Sequence, residues 1–221
     1  MGNFGNKWNK FLEIFFEQNG YVKVVEGLQN TILIAVAGLL IGIVIGTLIA
    51  IVRVMPKYKL LPRILDKICV CYIELFRGTP MVVQLLIGYW VLLPLMGITV
   101  NSGVPVAVIV FGLNSGAYVS EIMRSGIQSV DPGQMEAGRS LGMDYITVMK
   151  DIIIPQAIKN ILPALGNEFI MMLKETSLAS TFFLGDLMTS YSIVKGVTYL
   201  TLEPMTLVAL FDTAKESEAA N

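Results

Sequence analysis

The chain has 221 residues, of which 54% are hydrophobic and 15% charged, with a mean hydropathy of +0.68. Water-soluble domains carry roughly 25% charged residues, so this composition excludes an ordinary soluble fold and places the chain in a bilayer. A net charge of −1 offers no basic field to attract nucleic acid, and the absence of His removes the usual zinc and haem ligand and the usual general base.

Residues 1–30 contain Lys7, Glu13, Glu17, Lys23 and Glu26 and lack a continuous apolar run, so they do not read as a cleavable signal. Phe4, Trp8, Phe11 and Phe15 recur at helical spacing, which suits an extracytoplasmic amphipathic helix in the membrane interface. A partly ordered tail is the alternative. Residues 31–52 are apolar and uncharged, long enough for a first span, with Asn30 or Thr31 predicted to cap its start. Gly38, Gly42 and Gly46 repeat every fourth residue and give that span one face on which another helix can pack closely.

Arg53, Lys57, Lys59, Arg63 and Lys67 then face one acid, Asp66, and mark the cytoplasmic side, which places the N-terminus outside. Residues 61–97 read as one tilted span kinked at Pro80, its first part near the cytoplasmic interface. Cys69 and Cys71 lie in this apolar stretch, with no further thiol or His to complete a metal site. After an outer turn at 101–103, residues 104–123 cross inward. The loop 124–159 is polar and, with Arg124, Arg139, Lys150 and Lys159, cytoplasmic again. A fourth span is predicted over 162–184. The apolar run 202–211 is about half a crossing, and 212–221 is polar.

Within the loop, Asp131 can cap and Pro132 can start a short helix extending towards Asp144. Gly142 can end it and turn the chain, and a second short helix is predicted over 143–150, before Pro155. Glu136, Ala137 and Gly138, followed by Gly142 and then by Ile152, Ile154 and Pro155, resemble a loop known from the permeases of ATP-binding-cassette importers. That loop is written E-A-A, three residues, G, nine residues, I-x-L-P; Gly138 stands here for alanine and Ile154 for leucine. From about residue 27 to 195 the chain also resembles the polar amino-acid branch of that family. The strings that carry this likeness are Gly27 with Asn30 and Thr31, Glu74 to Pro80 with Gln84, Gly116-Ala117-Tyr118 with Glu121, Gly133-Gln134, and Lys174 to Leu178.

The resemblance implies an all-α, MetI-like permease bundle with about four complete transmembrane helices, a truncated fifth and a cytoplasmic coupling helix. Its permease domain would be 31–211, between the interfacial segment 1–30 and the atypical tail 212–221. It implies a multi-pass protein of the bacterial inner membrane that docks the 124–159 loop, through Glu136, Ala137, Gly138, Gly142 and Pro155, into ATPase subunits. A second permease copy or paralogue and an extracytoplasmic amino-acid-binding protein complete the implied assembly. No phosphate-binding loop of the G-x-x-x-x-G-K-S/T kind is present, so ATP and magnesium belong to the partner, and this chain has no cofactor of its own.

Charges within spans cost at least about 2.5 kcal/mol at the bilayer centre, so Glu168, Lys174 and Glu175 must face a partner or water. With Thr176 and Ser177 beside them, and Asn114 and Tyr118 on the third span, they are candidates for a polar translocation path; interhelical glue or snorkelling is the alternative. Arg77 and Gln84, two helical turns apart, would share a face and could meet an amino-acid carboxylate, unless Pro80 swings them apart. A degenerate subunit that moves nothing, prompted by the short final run, and an ion-coupled secondary transporter are the competing functions.

Overall fold

The computed structural model of the chain describes residues 13, 16, 20–95, 97 and 103–178. The expectations for Phe4, Trp8, Phe11 and Phe15, for 101 and 102, and for everything from 179 onward, including 202–211 and 212–221, lie outside the described residues.

Eight α-helical segments follow in chain order among the described residues: α1 Gly20–Val54, α2 Leu60–Gly78, α3 Met81–Ile87, α4 Leu93–Leu95, α5 Val104–Gln128, α6 Pro132–Ser140, α7 Tyr145–Val148 and α8 Ile154–Glu175. Single π-helical turns, Gly88–Leu92 and Met149–Ile153, join α3 to α4 and α7 to α8. Two helical stretches are long and apolar enough to cross a membrane, Val24–Val54 and Val104–Gln128, and α2 with α3 and α4 makes a third if that interrupted pair is one span.

The first helix begins ten residues before the expected cap. Thr31 is buried inside α1 and its hydroxyl donates to the Gly27 carbonyl at 2.9 Å, so it caps nothing. No proline interrupts 20–30, and a continuous backbone ladder outweighs the single hydrogen bond a cap supplies. Further on, Leu40, Val44 and Leu48, each about 60% exposed, form an apolar stripe suited to lipid.

The contacts divide the chain into two compact units. The first contains, of the described residues, those at 13, 16, 20–37, 81–95, 97, 103–110 and 170–178. Its packing includes Gly88, where a Cβ would come 2.8 Å from Val110 Cγ2, together with buried Met81, Leu85, Val106 and Ala107. The second unit is Gly38–Pro80 with Phe111–Phe169. Here α1 and α5 interlock through glycines on both sides. A Cβ on Gly46 would lie 2.8 Å from the Ser120 amide nitrogen, and one on Gly116 2.8 Å from Ile45 Cγ2. The sequence's glycine repeat is therefore a close-packing face. Below it, Val130, Val148, Ile153, Ala157 and Ile161 form a buried cluster that ties α6, α7 and the start of α8 to the end of α5.

Candidate functional site

The loop helix α6 is closed at both ends by its own sequence. Asp131 accepts a hydrogen bond from the Gly133 amide at 2.7 Å, and Pro132 occupies the first turn, where a missing N–H costs nothing. At the other end Gly142 has φ +85°, with Gly142 N–H donating to Arg139 O at 3.0 Å and Met143 N–H to Gly138 O at 3.2 Å. That pair of bonds is a Schellman closure, and it needs a residue at ease in the left-handed region. Arg139 Nη1 adds a bond to Met143 O at 3.0 Å. Glu136 and Ala137 are exposed, whereas Gly138 is buried so tightly that a Cβ would come 2.7 Å from Val148 Cγ2. Beside this face, Leu141 is 83% exposed and Ile146 72%.

The second loop helix differs from its expectation. α7 starts at Tyr145, one residue after its cap Asp144, which accepts from the Thr147 amide at 3.3 Å. It does not stop before Pro155 but passes through the π-turn Met149–Ile153 directly into α8, where Pro155 is the second residue and exposed. The reason is the change of hydrogen-bond register: the Ile154 amide donates five residues back, to Met149 O. The register shift thus falls next to the proline, the one residue with no amide to place. Asp144 is held below the ordinary carboxylate range, first by the Thr147 hydroxyl and then by the Thr147 and Ile146 amides, while burial pushes the Tyr145 phenol up.

Above the loop lies a charge network that the sequence reading did not assemble. Arg53 at the end of α1 pairs with Glu121 of α5 and stands 3.8 Å from Asp66 of α2. Lys57 reaches Asp66 at 2.6 Å, and Arg124 reaches Glu121 at 2.6 Å and Gln128 at 2.6 Å. The i,i+3 spacing of Glu121 and Arg124 was the available signal; the pairings across 68 and 9 residues had none. Next to the network, Val54, Ile127, Val130, Pro132, Met135 and Tyr145 are among the residues lining a largely apolar groove of about 250 Å³.

The path candidates fall into separate groups. In the second unit the Arg77 guanidinium lies 5.1 Å from the centre of the Tyr118 ring, a cation–π contact. Asn114 is buried and its amide donates to Phe76 O at 3.2 Å. Phe76 lies in the last turn of α2, where the carbonyls have no amide four residues ahead in the helix. Asn114 therefore supplies a donor that the end of α2 lacks. Nearby, the Tyr72 hydroxyl donates to Leu113 O. Glu168 is buried on α8.

Arg77 and Gln84 do not share a helix face. α2 ends at Gly78, Thr79 is extended with φ −113° and ψ 141°, and α3 restarts at Met81, so the expected two-turn spacing has no continuous helix to act through. At the end of α8, Lys174 is exposed, Glu175 half-buried and Thr176 buried. The Thr176 and Ser177 hydroxyls return to carbonyls of their own helix turn, Leu173 O at 2.7 Å and Lys174 O at 2.8 Å. Among the described residues no three His, Cys, Asp or Glu side chains come together to hold a metal, and Cys69 and Cys71 are free thiols.

Residues 38–211 match the model of the family described as "Binding-protein-dependent transport system inner membrane component". The chain is 39% identical over 187 residues to the arginine transport system permease protein ArtQ of Bacillus subtilis (strain 168), covering 85% of this chain and 83% of that one. It is 44% identical over 186 residues to the putative glutamine transport system permease protein GlnP of Rickettsia bellii (strain RML369-C), covering 84% and 83%. Among solved structures, one titled as an amino acid ABC transporter with histidines superposes with a TM-score of 0.83 at 39% identity, over 93% of this chain and 94% of that one. The inward-facing MetNI methionine ABC transporter superposes with a TM-score of 0.72 at 14% identity, over 89% and 91%, a likeness of fold alone.

Proposed function

This chain belongs to the family of binding-protein-dependent transport system inner membrane components, and from that premise we propose how it works as the permease subunit of an ATP-driven amino-acid importer. As a permease it is not itself catalytic. Importers of this kind work with an ATPase and with a binding protein; the finer reading is that α6 is the element that docks into a cleft of the ATPase. The observation that carries it is the closure of α6. A helix of nine residues, capped by Asp131, stopped by Gly142 and seated through Gly138 on Val148, has little freedom to deform. A load applied to exposed Glu136, Ala137, Leu141 and Ile146 passes into the cluster of Val148, Ile153, Ala157 and Ile161, and so into α8.

In this reading ATP and magnesium are bound by the ATPase, and the permease works beside a second copy or paralogue of itself. The N-terminus lies outside the inner membrane, as the cations between α1 and α2 and in the α6 to α8 region favour. Amino acids are the substrates, in keeping with the arginine and glutamine relatives. Their path draws on Arg77 and Tyr118, with Gln84, Glu168, Lys174, Glu175, Thr176 and Ser177 as further candidates. Asn114 contributes there by sealing the break in α2.

The test is co-purification of the full chain with its ATPase subunit from detergent, followed by ATP-driven uptake in proteoliposomes. Recovery of the ATPase should fall at least tenfold in Glu136→Lys and in Gly142→Trp. A well-inserted chain that never recovers an ATPase would defeat the reading and favour a degenerate subunit. Uptake driven by an ion gradient without ATP would instead establish a secondary transporter.

A further inference from the structure

From Arg53 near the end of α1 to Lys67 in the second turn of α2 the chain carries five cations and a single acid, Asp66. The structure divides those cations into two sets. Asp66 is turned inward, where it takes Lys57 at 2.6 Å and Arg53 at 3.8 Å, and Arg53 is further held by Glu121. Lys59, Arg63 and Lys67 remain on the outside, all exposed; Arg63 and Lys67, four residues apart, share one row of α2, and Lys59 stands at the cap position just before it. Among the described residues none of the three forms an ion pair; Arg63 only donates from Nε to the Lys57 carbonyl at 3.1 Å. The inward turn of Asp66 therefore leaves the outer row uniformly positive.

Beside that row the same turns show bare apolar side chains. Leu60 is 72% exposed, Leu61 66%, Ile64 47% and Ile68 60%, and Tyr58, just ahead of them, is 90% exposed. α2 alone does not qualify as a span, since its 19 residues include Arg63, Asp66, Lys67, Glu74 and Arg77. Apolar side chains in acyl chains, a tyrosine at headgroup level and a flanking row of cations form the pattern of a helix start lying in the interface of a negatively charged leaflet.

We propose that the start of α2 is a binding surface for anionic phospholipid, with Lys59, Arg63 and Lys67 on the headgroup phosphates and Leu61, Ile64 and Ile68 among the acyl chains. The proposal rests on the cytoplasmic placement of this segment given above. It identifies the lipid phosphate of the cytoplasmic leaflet as the ligand, and phosphatidylglycerol as the simplest probe. Each cation near such a surface contributes roughly a fivefold preference.

The experiment uses the purified full chain in micelles doped with equal phosphatidylglycerol and phosphatidylcholine of matched chains, with the lipids retained counted by native mass spectrometry. The parent chain is expected to retain phosphatidylglycerol at least tenfold over phosphatidylcholine. Lys59→Gln with Lys67→Gln should lower the ratio at least tenfold, to no more than the roughly fivefold that Arg63 alone supports, while Lys59→Arg with Lys67→Arg should preserve it. Arg63 is kept in every variant because of its bond to the loop. Lys150→Gln with Lys159→Gln removes equal charge elsewhere and should leave the ratio as it was. Equal retention of both lipids by the parent would overturn the proposal. So would a preference that survives the Lys59 and Lys67 change, or one that the Lys150 and Lys159 pair abolishes equally. The readout involves no ATPase and no uptake, so failure of the importer reading leaves it unaffected.

Discussion

Helices end in two different surroundings in the second unit, and the two ends are finished by different means. α6 ends in the polar loop and uses only its neighbours: Asp131 within two residues at the front, Gly142 and Met143 at the back. α2 ends at Gly78 with its last turn packed against the buried Asn114 of α5, where a freed carbonyl has less access to water. Its repair comes from far along the chain, with Asn114 reaching Phe76 O across 38 residues. An end near water can be finished locally, because solvent takes whatever the caps miss. An end packed against another helix has less of that reserve, and the neighbouring helix supplies the donor.

The largest effect expected from this contrast is at Asn114. Asn114→Leu should leave the Phe76 carbonyl without that donor and lower stability by about 1–3 kcal/mol, read as a fall in the thermal midpoint of the detergent-solubilised chain. A midpoint equal to the parent's would break the comparison and assign Asn114 another task. Next is Gly138→Val, which overfills the contact with Val148 and should cost about 1–3 kcal/mol by distorting a packed core. A midpoint unchanged within error would show that α6 is not seated as described.

Asp131→Ala removes only a local cap and should cost about 1 kcal/mol. It should speed hydrogen exchange at the Gly133 amide and leave exchange at the α2 break untouched. The smallest effect is at Asp144. Its folded pKa lies below the unfolded one, so its contribution is present above the ordinary carboxylate range and disappears as pH falls through the lower, folded value. Protection of the Thr147 amide should therefore fade on acidification, and Asp144→Asn should remove that pH dependence.

What could be read from the sequence follows the same division. Asp131, Pro132 and Gly142 announce α6 because cap, start and stop are all set by residues within one turn. The break at Pro80 was legible too, since proline's effect is local. Its repair was not: Asn114 looked like a lining residue because nothing near it in sequence refers to Phe76. The start of α1 was misplaced because Asn30 and Thr31 look like caps, whereas the Thr31 hydroxyl spends its bond inside a running helix. The cations at Arg53 and Lys57 did not announce their pairing, which depends on where α2 and α5 bring Asp66 and Glu121.

The π-turn at Met149–Ile153 packs one residue more into a turn than the helices on either side. Five residues in a π-turn carry the chain round the axis by nearly the same angle as four in an α-helix, so the turn takes up one residue without turning the face that α8 presents. Deleting the exposed Asp151 would let an ordinary turn form and would leave buried Ala157, Ile161 and Glu168 close to their present face. A second deletion would have no wide turn to draw on and would swing all three by about 100° about the helix axis. The stretch between Gly142 and Pro155 therefore holds a reserve of one residue in length while the orientation of α8 stays fixed.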